Sequence, residues 1–108
     1  MFFREKDFNW EQVAPGIERQ ITGYDDVLMM VAVRFQKEAI GVLHHHIHSQ
    51  ATYIAKGIFE VQIGTNKEKL ATGDTFFVPS NIEHGVICLE EGILIDVFSP
   101  SRKDFLND

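Results

Sequence analysis

Gly41-Val-Leu-His44-His45-His46-Ile47-His48-Ser-Gln50-Ala-Thr-Tyr53-Ile-Ala-Lys-Gly57 decides how the rest of the chain reads. Four of the five histidines fall inside it, and the fifth, His84, closes a second stretch, Gly73-Asp-Thr-Phe-Phe-Val-Pro79-Ser-Asn81-Ile-Glu-His84. Neutral imidazole is the commonest protein ligand for zinc, nickel, copper and iron. Residues i and i+2 of an extended strand share a face, so His44 and His46 can reach one ion together. Gln50 follows close behind, and His84 arrives from another strand. The tract is internal, broken by Ile47 and flanked by strand-like sequence, which a purification tag is not. The stretch therefore points to one mononuclear metal site among β-strands.

Outside that stretch the composition is ordinary. With 108 residues, 44% of them hydrophobic and 24% charged, the chain suits one soluble domain with one small core. Sixteen acidic residues against ten basic ones, a net charge of −6, disfavour nucleic acid and anionic membrane as partners. The longest apolar run, Val27 to Val33, is far too short to span a membrane. Met1-Phe-Phe-Arg-Glu-Lys-Asp7 lacks the apolar core of a secretory leader, so a cytoplasmic location is expected. The lone cysteine, Cys88, sits in an apolar stretch and reads as a buried, inert thiol.

Residues 1–16 mix aromatics with charges and read as an edge segment that lays Phe2, Phe3, Phe8 and Trp10 on the body. Ile17 to Thr22 precedes a hairpin turn at Gly23-Tyr-Asp-Asp26. Val27 to Phe35 is apolar on both faces until Arg34, the pattern of a strand covered twice. In so small a protein a second subunit is the natural second cover, so a homodimer is expected. Further strands are expected at 58–63, 69–72, 75–78, 85–89 and 93–98, with turns at Gly64–Glu68, Gly73-Asp74, Pro79–Asn81 and Glu90-Glu-Gly92. Short strands at such intervals make an antiparallel sandwich or barrel. The tail predicts one short helical turn capped by Ser99 or Ser101. Tyr53 reads as a core aromatic.

Together the two motifs resemble the cupin superfamily. His44-x-His46, Gln50 and Gly57 stand in its first motif; Gly73, Pro79 and His84 stand in its second, with Asn81 where glycine is frequent. The resemblance implies a single cupin domain over residues 1–108, a double-stranded β-helix or jelly-roll barrel. More of the chain is similar to the pectin-degradation (KdgF-like) branch: Met1-Phe-Phe, Gly23-Tyr-Asp-Asp, and Leu94-Ile-Asp96-Val-Phe98-Ser-Pro-Ser-Arg102-Lys-Asp-Phe105. That likeness implies ring opening and ketonisation of 4,5-unsaturated uronates released from pectin or alginate, giving linear 5-keto-4-deoxyuronate. By position, His44, His46, Gln50 and His84 would hold the metal, while Asp96, Phe98 and Arg102 would serve substrate and catalysis. The register leaves a second possibility, in which His46 and His48 form the pair and position 52 supplies threonine.

Three imidazoles and an amide bring no negative charge, so a divalent cation would keep its full charge toward an anion. In a water-poor barrel that difference from a glutamate-bearing site amounts to roughly several kcal/mol. Nickel, zinc, manganese and iron all suit such donors. Asp96 interrupts an apolar run; it reads as a proton shuttle, or else as a structural partner of an arginine such as Arg34. Arg102 reads as a carboxylate clamp or as a solvated tail residue, and Phe98 as packing. Two other classes remain open: a module that binds a metal or small anion without turnover, and a cupin dioxygenase.

Overall fold

The computed structural model describes residues 1–106. Its strands are β1 (Glu11–Ala14), β2 (Ile17–Tyr24), β3 (Met29–Phe35), β4 (Ile40–His44), β5 (Ser49–Ile63), β6 (Asn66–Ala71), β7 (Thr75–Val78) and β8 (His84–Ser99). Every pairing is antiparallel, in the order β1-β2-β3-β8-β5-β6, with β4 on β8 and β7 on β5. Among the described residues no helix is long and apolar enough to cross a membrane.

The architecture turns on β5 and β8, of 15 and 16 residues, which pair from Ser49↔Ser99 to Ile63↔His84. Their register slips between Ile54 and Phe59. Gly57 sits there at φ +97°, and a Cβ on it would lie 2.7 Å from the carbonyl oxygens of Glu90 and Glu91. A Cβ on Gly92 would lie 2.2 Å from the Lys56 carbonyl oxygen. The two backbones cross too closely for any side chain, and the pair bends there. Before the bend β5 lies between β7 and the second half of β8, which carries β3; after it, β5 lies between β6 and the first half of β8, which carries β4. Two sheets thus share two long strands, an all-β jelly-roll arrangement.

This corrects the expected turn at Glu90-Glu-Gly92, because β8 runs straight through it. Strand β5 likewise starts nine residues before the expected 58–63 segment. On β5 the inward residues are Gln50, Thr52 and Ile54 before the bend and Phe59 and Val61 after it, so parity changes at the bulge. Ile17, Phe35, Ile54, Phe59, Val61, Cys88 and Leu94 form one core cluster, and Met29, Val31 and Phe98 a second. Phe35 meets Phe59 edge-to-face at 5.2 Å. Burial within this core pushes the Cys88 thiol up, as an inert cysteine requires.

Strand β3 is buried on one face only. Met29, Val31 and Phe35 point inward, whereas Met30 is 47% exposed. Val27 and Leu28 belong to the preceding turn, where both backbone amides donate to Asp25 Oδ1. The N-terminal segment packs on the body in part: Trp10 lies under the Arg34 guanidinium at 4.1 Å, and buried Gln20 donates to the carbonyls of Glu5 and Phe8, but Phe2, expected on the body, is 95% exposed. The tail forms a 3-10 turn, Lys103–Phe105, whose cap position is Arg102 rather than either serine. The Ser101 hydroxyl is engaged instead by the Asp25 carbonyl oxygen.

Candidate metal centre

Strand β4 ends at His44 and β8 begins at His84, and these two are cross-strand partners. His46 lies on the connection to β5, not on a strand, so the convergence owes more to that loop than to strand alternation. Ring centroids stand 4.4 Å apart for His44–His84, 4.8 Å for His46–His84 and 5.5 Å for His44–His46. One donor atom from each of the three lies within 4.8 Å of the others. Gln50, buried on β5, brings Oε1 to 3.1 Å from His46 Nε2. His48 stays outside the cluster, with Nδ1 donating to the Pro100 carbonyl at 2.7 Å. His45 and Ile47 point to solvent.

The donor set fits a cation. Nδ1 of His44, His46 and His84 lies 2.9, 3.0 and 2.8 Å from the carbonyl oxygens of Val42, His48 and Ile82. Carbonyls only accept, so each Nδ1 carries the proton and each Nε2 keeps a lone pair. Burial pushes His84 down to about 4 and also lowers His46, helped there by the Arg102 charge. Both rings are therefore neutral near pH 7. A neutral His46 has one N–H but faces an oxygen at each nitrogen, so one contact must set lone pair against lone pair. His84 Nε2 is buried with no hydrogen-bond partner at all. Such unmet acceptors cost stability unless a cation occupies the space between them.

Asp96 comes from β8 directly opposite Thr52. The Thr52 hydroxyl donates to Asp96 Oδ1 at 2.7 Å, and Gln50 Nε2 lies 2.9 Å from Thr52 Oγ1 and 3.4 Å from Asp96 Oδ1. Burial pushes the Asp96 carboxyl up to about 6, although Thr52 and Arg102 pull the other way. Arg34 plays no part, being paired with Glu18 at 2.8 Å. Arg102 is only 9% exposed, far from a solvated tail residue. Its guanidinium lies 5.0 Å from the Phe98 ring centre and 4.1 Å from that of Phe105. Nε and Nη2 donate to Asp104 at 3.1 and 2.8 Å, and this holds the Asp104 carboxyl below the usual range. Phe98 is buried and sets its ring edge-on to His46 at 5.7 Å.

The cupin-domain sequence pattern matches residues 31–98. The chain is also 50% identical, over 107 residues and 97% of each sequence, to the pectin degradation protein KdgF of Dickeya dadantii (strain 3937). The chain is a cupin of the KdgF-like branch. Solved structures agree with that placement. An RmlC-like cupin from Shewanella frigidimarina NCIMB 400 superposes with a TM-score of 0.94 at 41% identity, covering 96% of this cupin and 94% of that chain. KdgF from Halomonas sp. superposes with a TM-score of 0.94 at 39% identity, covering 97% of each.

Sequence reasoning missed Asp104 altogether and gave Thr52 only as an alternative ligand. Thr52 follows Gln50 by two on one strand, so the shared face was a signal; Asp104 gave none, because an acid two residues from an arginine in a tail is ordinary. Tyr53, expected in the core, points outward and is 47% exposed, one residue out of phase with Gln50 and Thr52.

Proposed function

We propose that this cupin is a metal-dependent enzyme that opens and ketonises 4,5-unsaturated uronate monosaccharides, yielding linear 5-keto-4-deoxyuronate. The observation that carries the reading is the convergence of three imidazoles and the Gln50 amide beside a desolvated Asp96. Kinship with a protein named for pectin degradation supports the substrate class. His44, His46, His84 and Gln50 would hold one divalent transition metal (nickel, zinc, manganese or iron), which would supply Lewis acidity toward an anionic oxygen.

The chain's own groups do the rest. Arg102, its guanidinium carbon 5.0 Å from the Phe98 ring centre and 4.1 Å from that of Phe105, presents a fork suited to the uronate carboxylate. Asp104 occupies that fork in the free protein and gives way to substrate. Ring opening breaks the ring C–O bond of the hemiacetal and leaves an aldehyde and an enol. Ketonisation then moves one proton from the enol oxygen to carbon. Thr52 occupies Asp96 Oδ1 as donor, so the mobile proton sits on Oδ2, from which Asp96 gives it to carbon and takes back the enol proton. Atoms balance, and no oxidant is required.

Metal-loaded protein given a lyase-released unsaturated monouronate is expected to speed the loss of the ring alkene's ultraviolet absorbance well beyond the protein-free rate. A heat of binding with no such acceleration would leave a binding module and overturn the enzyme. Oxygen uptake would instead favour a dioxygenase.

The same proposal extends to assembly as a homodimer. On the outer face, Met30–Val97–Ala51–Phe77 and Ala32–Ile95–Tyr53–Thr75 form two uncharged cross-strand rows. Arg34 and Lys56, at one edge, are already paired with Glu18 and Glu91. With no free charge to select a foreign partner, a second copy related by a two-fold axis is the occupant that suits the face.

A further inference from the structure

We infer that Thr52 is a positioning residue that sets which end of the Gln50 amide faces the cation. The inference rests on the metal-site reading above and concerns how this chain keeps a neutral amide usable as a ligand. An amide is nearly symmetric in shape, and packing alone does not choose between its oxygen and its nitrogen. The choice has to come from hydrogen-bond partners.

Those partners are Thr52 and Asp96. Thr52 is 2% exposed, on the same face of β5 two residues along, and opposite Asp96 in the β5–β8 ladder. Its hydroxyl has one proton, which goes to Asp96 Oδ1 at 2.7 Å, and it accepts from Gln50 Nε2 at 2.9 Å. The amide nitrogen also points at Asp96 Oδ1, 3.4 Å away. Reversing the amide would put its oxygen against both of these oxygens. The single hydroxyl proton could then serve only one of two acceptors. The chain Asp96–Thr52–Gln50 therefore runs in one direction and leaves Oε1 facing His46 Nε2 at 3.1 Å. Toward His46 alone the opposite orientation would be preferred, since an amide N–H could then donate to the ring nitrogen. The Thr52 side overrides that preference, and the pocket keeps its acceptor aimed at the cation before any cation arrives.

The same logic explains why an amide stands at position 50 rather than a carboxylate. A glutamate there would present a second oxygen to Thr52 Oγ1 and Asp96 Oδ1 where a donor now sits, and Thr52 could not satisfy both.

The test is cation affinity, measured by calorimetric titration of metal-free protein with nickel and zinc. Thr52→Val keeps the shape and removes the hydroxyl, Thr52→Ala removes it with less demand on packing, and Thr52→Ser keeps it. The expected result is affinity roughly tenfold or more weaker for Val and Ala, and within about threefold of the parent for Ser. Thermal unfolding of the same metal-free samples shows whether each variant is folded. Parent-like affinity in a folded Val or Ala variant overturns the inference and makes Thr52 a plain structural residue. Weakening in Ser equal to that in Val overturns it too, since the hydroxyl would then not be the cause. A parent protein that takes up neither ion overturns instead the metal-site reading on which this one rests, so the two failures are distinguishable.

Discussion

Asp96 holds a proton at pH values where an ordinary aspartate has lost it, because its surroundings replace water with Thr52, Gln50 and apolar strands. A carboxyl raised from 3.8 to about 6 makes the fold less stable as pH climbs through that interval, with the penalty complete above it. That interval corresponds to about 3 kcal/mol. His84 works the other way, since its depression to about 4 costs stability as pH falls below its usual value. The two effects oppose each other between about pH 4 and 6, so the parent curve alone hides both. Comparison with Asp96→Asn isolates the carboxyl. In urea unfolding of metal-free protein, the variant is expected to gain on the parent from pH 4 to about 6 and to level off by pH 7, at about 2 kcal/mol or more. If the protein turns over uronates as proposed, the same variant is expected to lose roughly 100-fold or more of that activity, because it has no carboxyl proton to give. A stability difference that stays flat with pH would contradict the desolvated carboxyl.

At the scale of elements, the crossing of β5 and β8 matters most. Gly92→Ala would drive a methyl into the Lys56 carbonyl and onto the Phe59 ring, 2.8 Å away. Phe59 is fully buried at the centre of the main core cluster and has nowhere to move. Loss of about 3 kcal/mol or more is expected on chemical denaturation, well above the usual cost of a glycine-to-alanine change in an exposed strand. A variant within about 1 kcal/mol of the parent would show that the strands can part. The crossing also explains the sequence reading. Phe59, Val61 and Ile63 alternate cleanly, so the far half of β5 was legible. The near half was not, because its inward positions are the polar Gln50 and Thr52 and because the bulge reverses parity between the halves. Glu90-Glu-Gly92 has the composition of a turn, yet its glycine serves close approach.

For the whole molecule, the outer face of β3, β8, β5 and β7 is where the proposed dimer can be tested. Met30 and Phe77, 47% and 58% exposed, end one row of it. Phe77→Glu places a charge there while the neighbouring Val78 keeps its inward packing. Light scattering on a sizing column is expected to give twice the chain mass for the parent and the chain mass for the variant, with the metal stoichiometry per chain unchanged. A parent that runs as a monomer at every concentration would remove the dimer.

Much of this protein was determined by the order of its residues. Donor types repeat at short range and strand segments alternate, and both are local properties. His46 and His84 announce themselves in this way, and His44 with Gln50 as one of two possible registers. Tertiary structure alone decided that His44 rather than His48 joins the cluster, that Arg34 goes to Glu18, and that Asp96 faces Thr52 across a ladder joining residues 44 apart. Those outcomes hang on cross-strand register and on one parity reversal at a bulge. Register is a relation between distant segments, set by packing and by where two glycines let the backbone pass, and no single stretch of chain carries it.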